Sequence, residues 1–482
     1  MSIDIVLRSD YATELEELTV PWESARPEEP KLCLLNEDLA AELGLDSDVL
    51  RTDPGIRFLL GNELPAEAKP VAQAYAGHQF GFYAPRLGDG RALLLGEIVD
   101  VRGRTHDIHL KGSGRTPFAR ADGFAALGPM LREYLMGEAM HALGIETTRA
   151  LAVVETGRSV RREAEFFPGA VLARIASSHI RVGTFQYARS TGDRALLEKL
   201  ADFAIQRHYP RFAESPTRYE ELLEAVAVAQ AKLLASWMLV GFVHGVMNTD
   251  NTSVAGETID YGPCAFIDAY DPGAVFNSID HQGRYAFANQ PGIALWNLSR
   301  FADSLLPLLA DDQDAAVEIA EGRVRTFTSV YEAELVAGMR EKLGVADATD
   351  EEVGEIARAM LAQLQAEGVD YHQAFRALAH AARGDSAAAD RLFTGEEGAG
   401  DWFQTWLRLG PDGDAMDRVN PLYVPRNHIV DEALVAATEG DLGPFTRLLE
   451  ILEHPFEERP GLGRYAQPAP EGSWPHVTYC GT

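Results

Sequence analysis

Three side chains close together in the sequence carry oxygen atoms suited to handling a metal-bound phosphate. Asp250 and Asn251 end the stretch His244-Gly-Val-Met-Asn-Thr-Asp-Asn251, and Asp260 opens Asp260-Tyr261-Gly262. Asn251 and Asp260, an amide and a carboxylate across a short loop, suit Mg²⁺, which takes few protein carboxylates and fills its shell with phosphate oxygens and water. Asp250 is the other carboxylate of the loop and the candidate proton acceptor; the competing role is a buried aspartate that caps a turn. Cations that could hold phosphates lie upstream. Lysine occurs six times among 43 basic residues, and one of the six is Lys111, which ends His106-Asp-Ile-His-Leu-Lys111. Gly88-Asp89-Gly90-Arg91 precedes it; backbone N–H groups at such a glycine turn approach phosphate closely, and a lysine adds a point charge. Arg174 and Arg181 form a second basic pair in Arg-Ile-Ala-Ser-Ser-His-Ile-Arg, with few acidic neighbours. His106 and His109 stand three apart on a predicted strand, face opposite sides and cannot chelate one metal.

The order of these groups resembles the catalytic loop and metal-binding turn of protein kinases. In the kinase pattern His-Arg-Asp-x-x-x-x-Asn, the Asp accepts the substrate proton and the Asn binds metal. Here Val246 fills the Asp slot and can accept nothing, while Asn251 and Asp260 keep the metal positions. A chain with the ligands but not the base should still hold a metal nucleotide.

The elements that must position these groups follow in a kinase-like order. Phe80–Leu87, Arg91–Val99 and His106–Lys111 read as a three-strand meander, with Gly88-Asp89-Gly90 at its first turn and Arg102-Gly103-Arg104 at its second. A helix follows between Pro129, suited to a first helical position, and Gly144, suited to a cap. It offers Glu133 and Glu138 as carboxylate partners for Lys111, and its apolar stripe favours Glu138 as the inward one. Short strands at Leu151–Thr156 and Val171–Ala176 come next, and the chain from about Leu196 is mostly helical, with a strand-like stretch from Ser253 to Asp268. The expected fold class is α+β, a protein-kinase-like two-lobed fold. The expected organisation is an N-terminal extension (1–68), an N-lobe (69–168), a C-lobe core carrying the catalytic loop (169–300) and additional C-terminal helices (301–482).

Composition removes several classes. With 482 residues, 46% hydrophobic and 24% charged, the chain can bury a large core. A net charge of −30 argues against a broad nucleic-acid or anionic-membrane surface. Three cysteines, Cys33, Cys264 and Cys480, form no framework, and the start carries no secretory signal. The apolar run from Leu233 to Met247 is too broken to span a membrane and reads as a buried helix. The expectation is a cytoplasmic protein without nucleic-acid or membrane partners.

Longer segments carry a more specific likeness. Tyr75-Ala-Gly-His-Gln-Phe-Gly81, Leu87-Gly-Asp-Gly-Arg91, Leu110-Lys-Gly-Ser-Gly-Arg-Thr-Pro117, Ile175-Ala-Ser-Ser-His-Ile-Arg-Val-Gly-Thr-Phe185, His244–Asn251, Ile259-Asp-Tyr-Gly-Pro263 and Asn420-Pro-Leu-Tyr-Val-Pro-Arg-Asn427 run in order through most of the chain. Together they resemble the selenoprotein O, or YdiU-type, pseudokinase family. That resemblance implies an adenylyltransferase that moves AMP from ATP to Ser, Thr or Tyr hydroxyls of proteins, this chain among them, and releases pyrophosphate. It also implies ATP in a flipped orientation, with the γ-phosphate buried, and UTP as another donor to consider. By motif, Gly88, Gly90, Arg91, Lys111, Asp122, Gly123, Arg174, Arg181 and Asp260 would hold the nucleotide. Asn251 and Asp260 would bind Mg²⁺ or Mn²⁺, Asp250 would accept the proton, and Glu133, not Glu138, would pair with Lys111. The segment Arg120-Ala-Asp122-Gly123 is one residue shorter than the family spacing. Many relatives carry a redox-active Cys or selenocysteine near the C-terminus, where this chain has Cys480. Two other readings remain at this point: an atypical kinase moving the γ-phosphate, and a non-catalytic nucleotide-binding scaffold.

Overall fold

The computed structural model describes residues 5–162, 165–395, 398–470, 472 and 476–478, so Cys480 lies outside the described residues. Ten strands precede the helical half: β1 (Thr19–Pro21), β2 (Lys31–Leu35), β3 (Val71–Gln73), β4 (Gly77–Gln79), β5 (Phe82–Ala84), β6 (Ala92–Val99), β7 (Thr105–Lys111), β8 (Ala125–Ala126), β9 (Arg149–Arg162) and β10 (Glu165–Ala176). Eight of them form one antiparallel sheet in the order β1-β3-β6-β7-β10-β9-β2, with β8 beside β10. Both edge strands therefore come from the first 35 residues.

β6 reads Ala-Leu-Leu-Leu-Gly-Glu-Ile-Val, apolar at successive rather than alternate positions, because both faces of the sheet are covered. Leu94 points into the core shared with helix Leu127–Ala142, while Leu93 and Leu95 pack with Leu39, Phe58 and Leu59 from helices Glu37–Glu42 and Asp53–Leu59. Leu93 is fully buried, so its truncation to Ala would cost about 2–5 kcal/mol. The helix Leu127–Ala142 carries Pro129 in its first turn, where the missing N–H costs no helical bond. It stops at Gly144, whose φ of +77° lets the N–H groups of Gly144 and Ile145 close on the carbonyls of His141 and Met140.

Two expectations about strands are corrected. The segment Phe80–Leu87 does not join the meander, and the sheet neighbour of β6 is β3. Phe80 and Gly81, both at positive φ (50° and 85°), form their own two-residue turn, so β4 and β5 close as a separate hairpin. Gly88-Asp89-Gly90 is then a loop leading into β6 and not a hairpin corner; the corner at Arg102–Arg104 does join β6 to β7. Ser253–Asp268 is not a continuous strand either. Positive φ at Gly256 and Asp260, and Pro263 nearby, break it, leaving β12 (Ala265–Phe266) paired with β11 (Phe242–Val243).

The second lobe is helical. One helix, Arg218–Leu239, is long and apolar enough to cross a membrane by length and composition, but 61% of its apolar window is buried. It packs against helices Gln290–Leu309 and Gln313–Lys342. A further core around Tyr371, Phe375 and Trp406 ties the C-terminal helices to Val243 and Ile267, beside the loop that begins at His244. The mixed architecture agrees with an α+β kinase-like fold.

Candidate active site

The sheet builds the deep wall of the cleft. β7 and β10 pair so that His109 lies opposite Arg174 and Leu172 opposite Lys111. Side chains two apart on a strand share a face, so His109, Lys111 and Arg174 all point toward helix Leu127–Ala142. Glu133 on that helix accepts from Lys111 Nζ at 2.5 Å and from Arg174 Nη1 at 3.2 Å. Glu138, favoured by the apolar stripe, instead binds Arg149 at 2.6 Å and Asn36 at 2.9 Å. The stripe misleads because this helix is covered on several sides, so both glutamates are buried and facing inward does not single out one partner.

Asp260 completes the cluster. Its Oδ1 accepts from Lys111 (2.7 Å) and Arg174 (2.8 Å), and its Oδ2 from Arg181 (3.0 Å). Burial opposes the charge on Asp260, but these three cations outweigh it and hold the carboxyl well below its usual range. Asp260 also has φ +64°, a left-handed conformation that Asp tolerates better than most residues. The cations keep unused capacity: Nε of Arg174 and Nε of Arg181 are buried without a partner. Nη1 of Arg91, at the edge of the cluster, is likewise buried and unpaired. A phosphate could take these donors, since buried N–H groups left unmade are costly.

The loop from His244 to Asn251 forms the opposite wall. His244 is fixed by Nε2 against the Ile259 carbonyl (2.9 Å), and its ring stacks on Trp237. The turn Thr249–Asn251 then presents Asp250 and Asn251. Asp250 Oδ2 accepts from Gln79 Nε2 at 3.1 Å, while Oδ1 is buried and has no partner. Burial raises the Asp250 pKa to about 6 despite Gln79 and Arg181. Asn251 Nδ2 donates to the Val246 carbonyl at 3.1 Å, which leaves its Oδ1 as the free acceptor.

All the residues marked by the sequence line one cavity of about 1140 Å³: Gly88, Gly90, Arg91, Lys111, Asp122, Gly123, Glu133, Arg174, Arg181, Asp250, Asn251 and Asp260. Their engagement differs. A Cβ on Gly88 would strike the Phe118 ring at 2.5 Å, and one on Gly123 would lie 2.3 Å from the Arg115 nitrogen, so both glycines are needed for close packing. Asp122 is exposed at the rim, where its carboxylate already accepts from the Phe124 N–H and from Arg162. Cys264 is buried and its thiol is pushed up to about 11 by burial.

Several residues stood in the quoted segments without being given a part in this site. Gln79 steadies Asp250, and Gly77 and Gly183 make room for it: added Cβ atoms would sit 2.6 Å from Asp250 Oδ1 and 3.3 Å from its Cα. Tyr75 lies under Arg181 at 4.5 Å, where ring and guanidinium attract. Asp89 and His109 support Arg174. His109 was readable, because it stands two before Lys111 on the same strand face; Gln79 lies far away in sequence and carried no spacing signal.

Sheet, helical lobe and cationic cleft together define an α+β kinase-like enzyme. Residues 5–453 match the family model described as "Protein adenylyltransferase SelO". Curated relatives called "Protein nucleotidyltransferase YdiU" include one from Mycobacterium sp. (strain KMS), 58% identical over 480 residues, covering 99% of this chain and 100% of the relative. The Pseudarthrobacter chlorophenolicus relative is 57% identical over 484 residues, covering 99% and 98%. One from Cereibacter sphaeroides is 54% identical over 478 residues, covering 98% and 99%. The chain belongs to the SelO family of protein adenylyltransferases.

Proposed function

We propose that this enzyme transfers AMP from ATP to a Ser, Thr or Tyr hydroxyl of a protein, this chain included among the acceptors, and releases pyrophosphate. ATP enters triphosphate-first. The observation that carries this reading is the Asp250 carboxyl lining a cavity whose deep wall is made by Lys111, Arg174 and Arg181. The slot where a kinase keeps its base holds Val246, so γ-phosphoryl transfer has no acceptor there. The printed names of the relatives support nucleotidyl transfer.

The chain's own groups divide the work. Gln79 anchors the Asp250 carboxylate through Oδ2. Asp250 takes the hydroxyl proton as the oxygen attacks the α-phosphorus. The bond from that phosphorus to the bridging oxygen breaks, and pyrophosphate leaves with the electron pair. Arg174, Arg181 and Lys111 lie where negative charge grows on the leaving group, and fixed donors in a site shielded from water stabilise such charge strongly.

The residues also fit a hard divalent ion. Among the described residues there is no cluster of three or more His, Cys, Asp or Glu able to cage a metal. Mg²⁺ or Mn²⁺ on a nucleotide needs only one or two protein ligands. The free Oδ1 of Asn251 and the lone pairs left on Asp260 supply these, since a carboxylate offers about four lone-pair sites. When bound, the ion neutralises phosphate charge and polarises the phosphorus centre.

The test is intact-mass analysis with parallel labelling by α- and γ-labelled ATP. The expected result is a mass gain of one AMP and label from the α position only. Label from the γ position would mean an atypical kinase, and nucleotide binding with no modified protein across metals and acceptors would mean a scaffold.

A further inference from the structure

Arg174 is only 2% exposed and rests on a buried chain that the transfer chemistry above does not use. Its Nη2 contacts His109 Nδ1 at 2.9 Å, and His109 Nε2 contacts Asp89 Oδ2 at 3.0 Å. A guanidinium only donates, so Nδ1 of His109 must accept and its proton must sit on Nε2, directed at Asp89. Asp89 is held in turn by the Gln73 N–H at 3.0 Å. Burial opposes the Asp89 charge, but His109, Arg181 and the Gln73 amide outweigh it and hold the carboxyl down at about 2.

A second histidine backs the first. The ring of His179, from the segment Ile175–Phe185, stacks on His109 with centroids 4.1 Å apart and planes 17° from parallel. Asp107 fixes that ring through Nδ1 at 3.1 Å and is itself held by Arg207 at 2.9 Å. Burial keeps both histidines neutral, so the stack carries no like-charge repulsion. The direct neighbours of His109 across β6 and along β7 are Leu94, Ile108 and Leu110. An apolar residue would serve a core position of this kind more cheaply, because unpaired buried nitrogens are costly; both nitrogens of His109 are engaged, whereas Nε2 of His179 has no partner.

We propose that His109, held by Asp89 and backed by His179, is a positioning residue that aims Arg174 at the outer phosphates of the nucleotide. The claim rests on the triphosphate-first reading. With Nη1 committed to Asp260 and Glu133 and one Nη2 proton committed to His109, the plane of the guanidinium is fixed. Its unpaired donors then have a single direction in which to meet an anion.

The experiment combines calorimetry with NMR on the full-length protein. Pyrophosphate and AMP, each with Mg²⁺, are titrated into the wild type and into Arg174→Ala, His109→Leu and His109→Gln. His109→Leu should weaken pyrophosphate roughly tenfold or more, the scale of a lost charge-assisted hydrogen bond, and leave AMP unchanged. His109→Gln should recover most of the loss, because its amide oxygen can accept from Arg174 while its NH₂ donates to Asp89. Equal loss of AMP and pyrophosphate, no loss at all, or a Gln variant no better than Leu would each overturn the assignment. ¹⁵N-histidine spectra of the wild type decide the matter if the variants do not fold. A neutral, Nε2-protonated His109 across neutral pH is expected; an Nδ1-protonated or cationic ring would refute it. If Arg174→Ala itself keeps full pyrophosphate affinity, the triphosphate-first reading fails before His109 is in question.

Discussion

Gly77→Ala adds one carbon beside the proposed base and meets Asp250 and Leu87 before any of Lys111, Arg174 or Arg181. The new Cβ would sit 2.6 Å from Asp250 Oδ1 and 3.0 Å from both Asp250 Cβ and the Leu87 side chain. Carbon and oxygen in normal contact stay several tenths of an ångström further apart, so something must move. Asp250 is short, and its other oxygen is tied to Gln79, so it has little slack. Overpacking of this kind costs about 1–3 kcal/mol in stability. The catalytic cost is larger, because a misplacement of about 1 Å can lower rate by roughly 10²-fold. Steady-state AMP transfer from α-labelled ATP, beside calorimetric ATP affinity, separates the two effects. The expected result is a kcat reduced by about 10–10²-fold with ATP affinity nearly unchanged, since Lys111, Arg174 and Arg181 are untouched. A kcat at the wild-type level would refute the role of Asp250, and equal loss of ATP binding would refute the separation of base from phosphate cradle.

Three further outcomes follow from the same site and its surroundings. A base must be ionised to act, and burial has raised the Asp250 pKa to about 6 in the free protein; kcat/KM should therefore fall as pH drops through about 6, and Asp250→Asn should lose about 10²–10⁴-fold and show no such limb. A wild-type profile flat from pH 5 to 8 would contradict this. Asp260→Asn removes the carboxylate that balances Lys111, Arg174 and Arg181 and one proposed metal ligand, so transfer in the α-label assay should fall by on the order of 10²–10³-fold. Lys342 lies buried against the rings of Phe375 (4.0 Å) and Tyr371 (5.3 Å), and burial pushes its pKa from 10.5 to about 7. Between those values the unfolded chain holds a proton that the folded chain lacks, so stability rises with pH through that window. The penalty at neutral pH is at most about 4–5 kcal/mol. Lys342→Met should thus raise the urea midpoint at pH 7, with the gain fading toward pH 10.5; a destabilised variant at pH 7 would show that the ammonium is stabilised where it sits.

Which residues would share the cavity was more legible in the sequence than the path of the chain. Asn251, Asp260 and Lys111 stood out because metal and phosphate chemistry demands those side chains, and the demand fixes spacing within a loop or strand. The turn between β6 and β7 was readable because Arg-Gly-Arg allows only local closure. The hairpin at Gly77–Ala84 was not: its strands look like the sheet strands beside them, and what separates it is contact with Thr249, Asp250 and Asn248, far along the chain. The choice between Glu133 and Glu138 failed on periodicity for a related reason. A helix buried on several sides has no single inward face, and it was the family likeness, not the periodicity, that pointed to Glu133.

The most direct measurement is a crystal structure of the enzyme with a non-hydrolysable ATP analogue and Mn²⁺. The account requires the terminal phosphate on Arg174, Arg181 and Lys111, the metal beside Asn251 and Asp260, and the α-phosphorus open toward Asp250. A terminal phosphate facing Asp250 and the solvent, with Arg174 and Arg181 far from any phosphate, would contradict it.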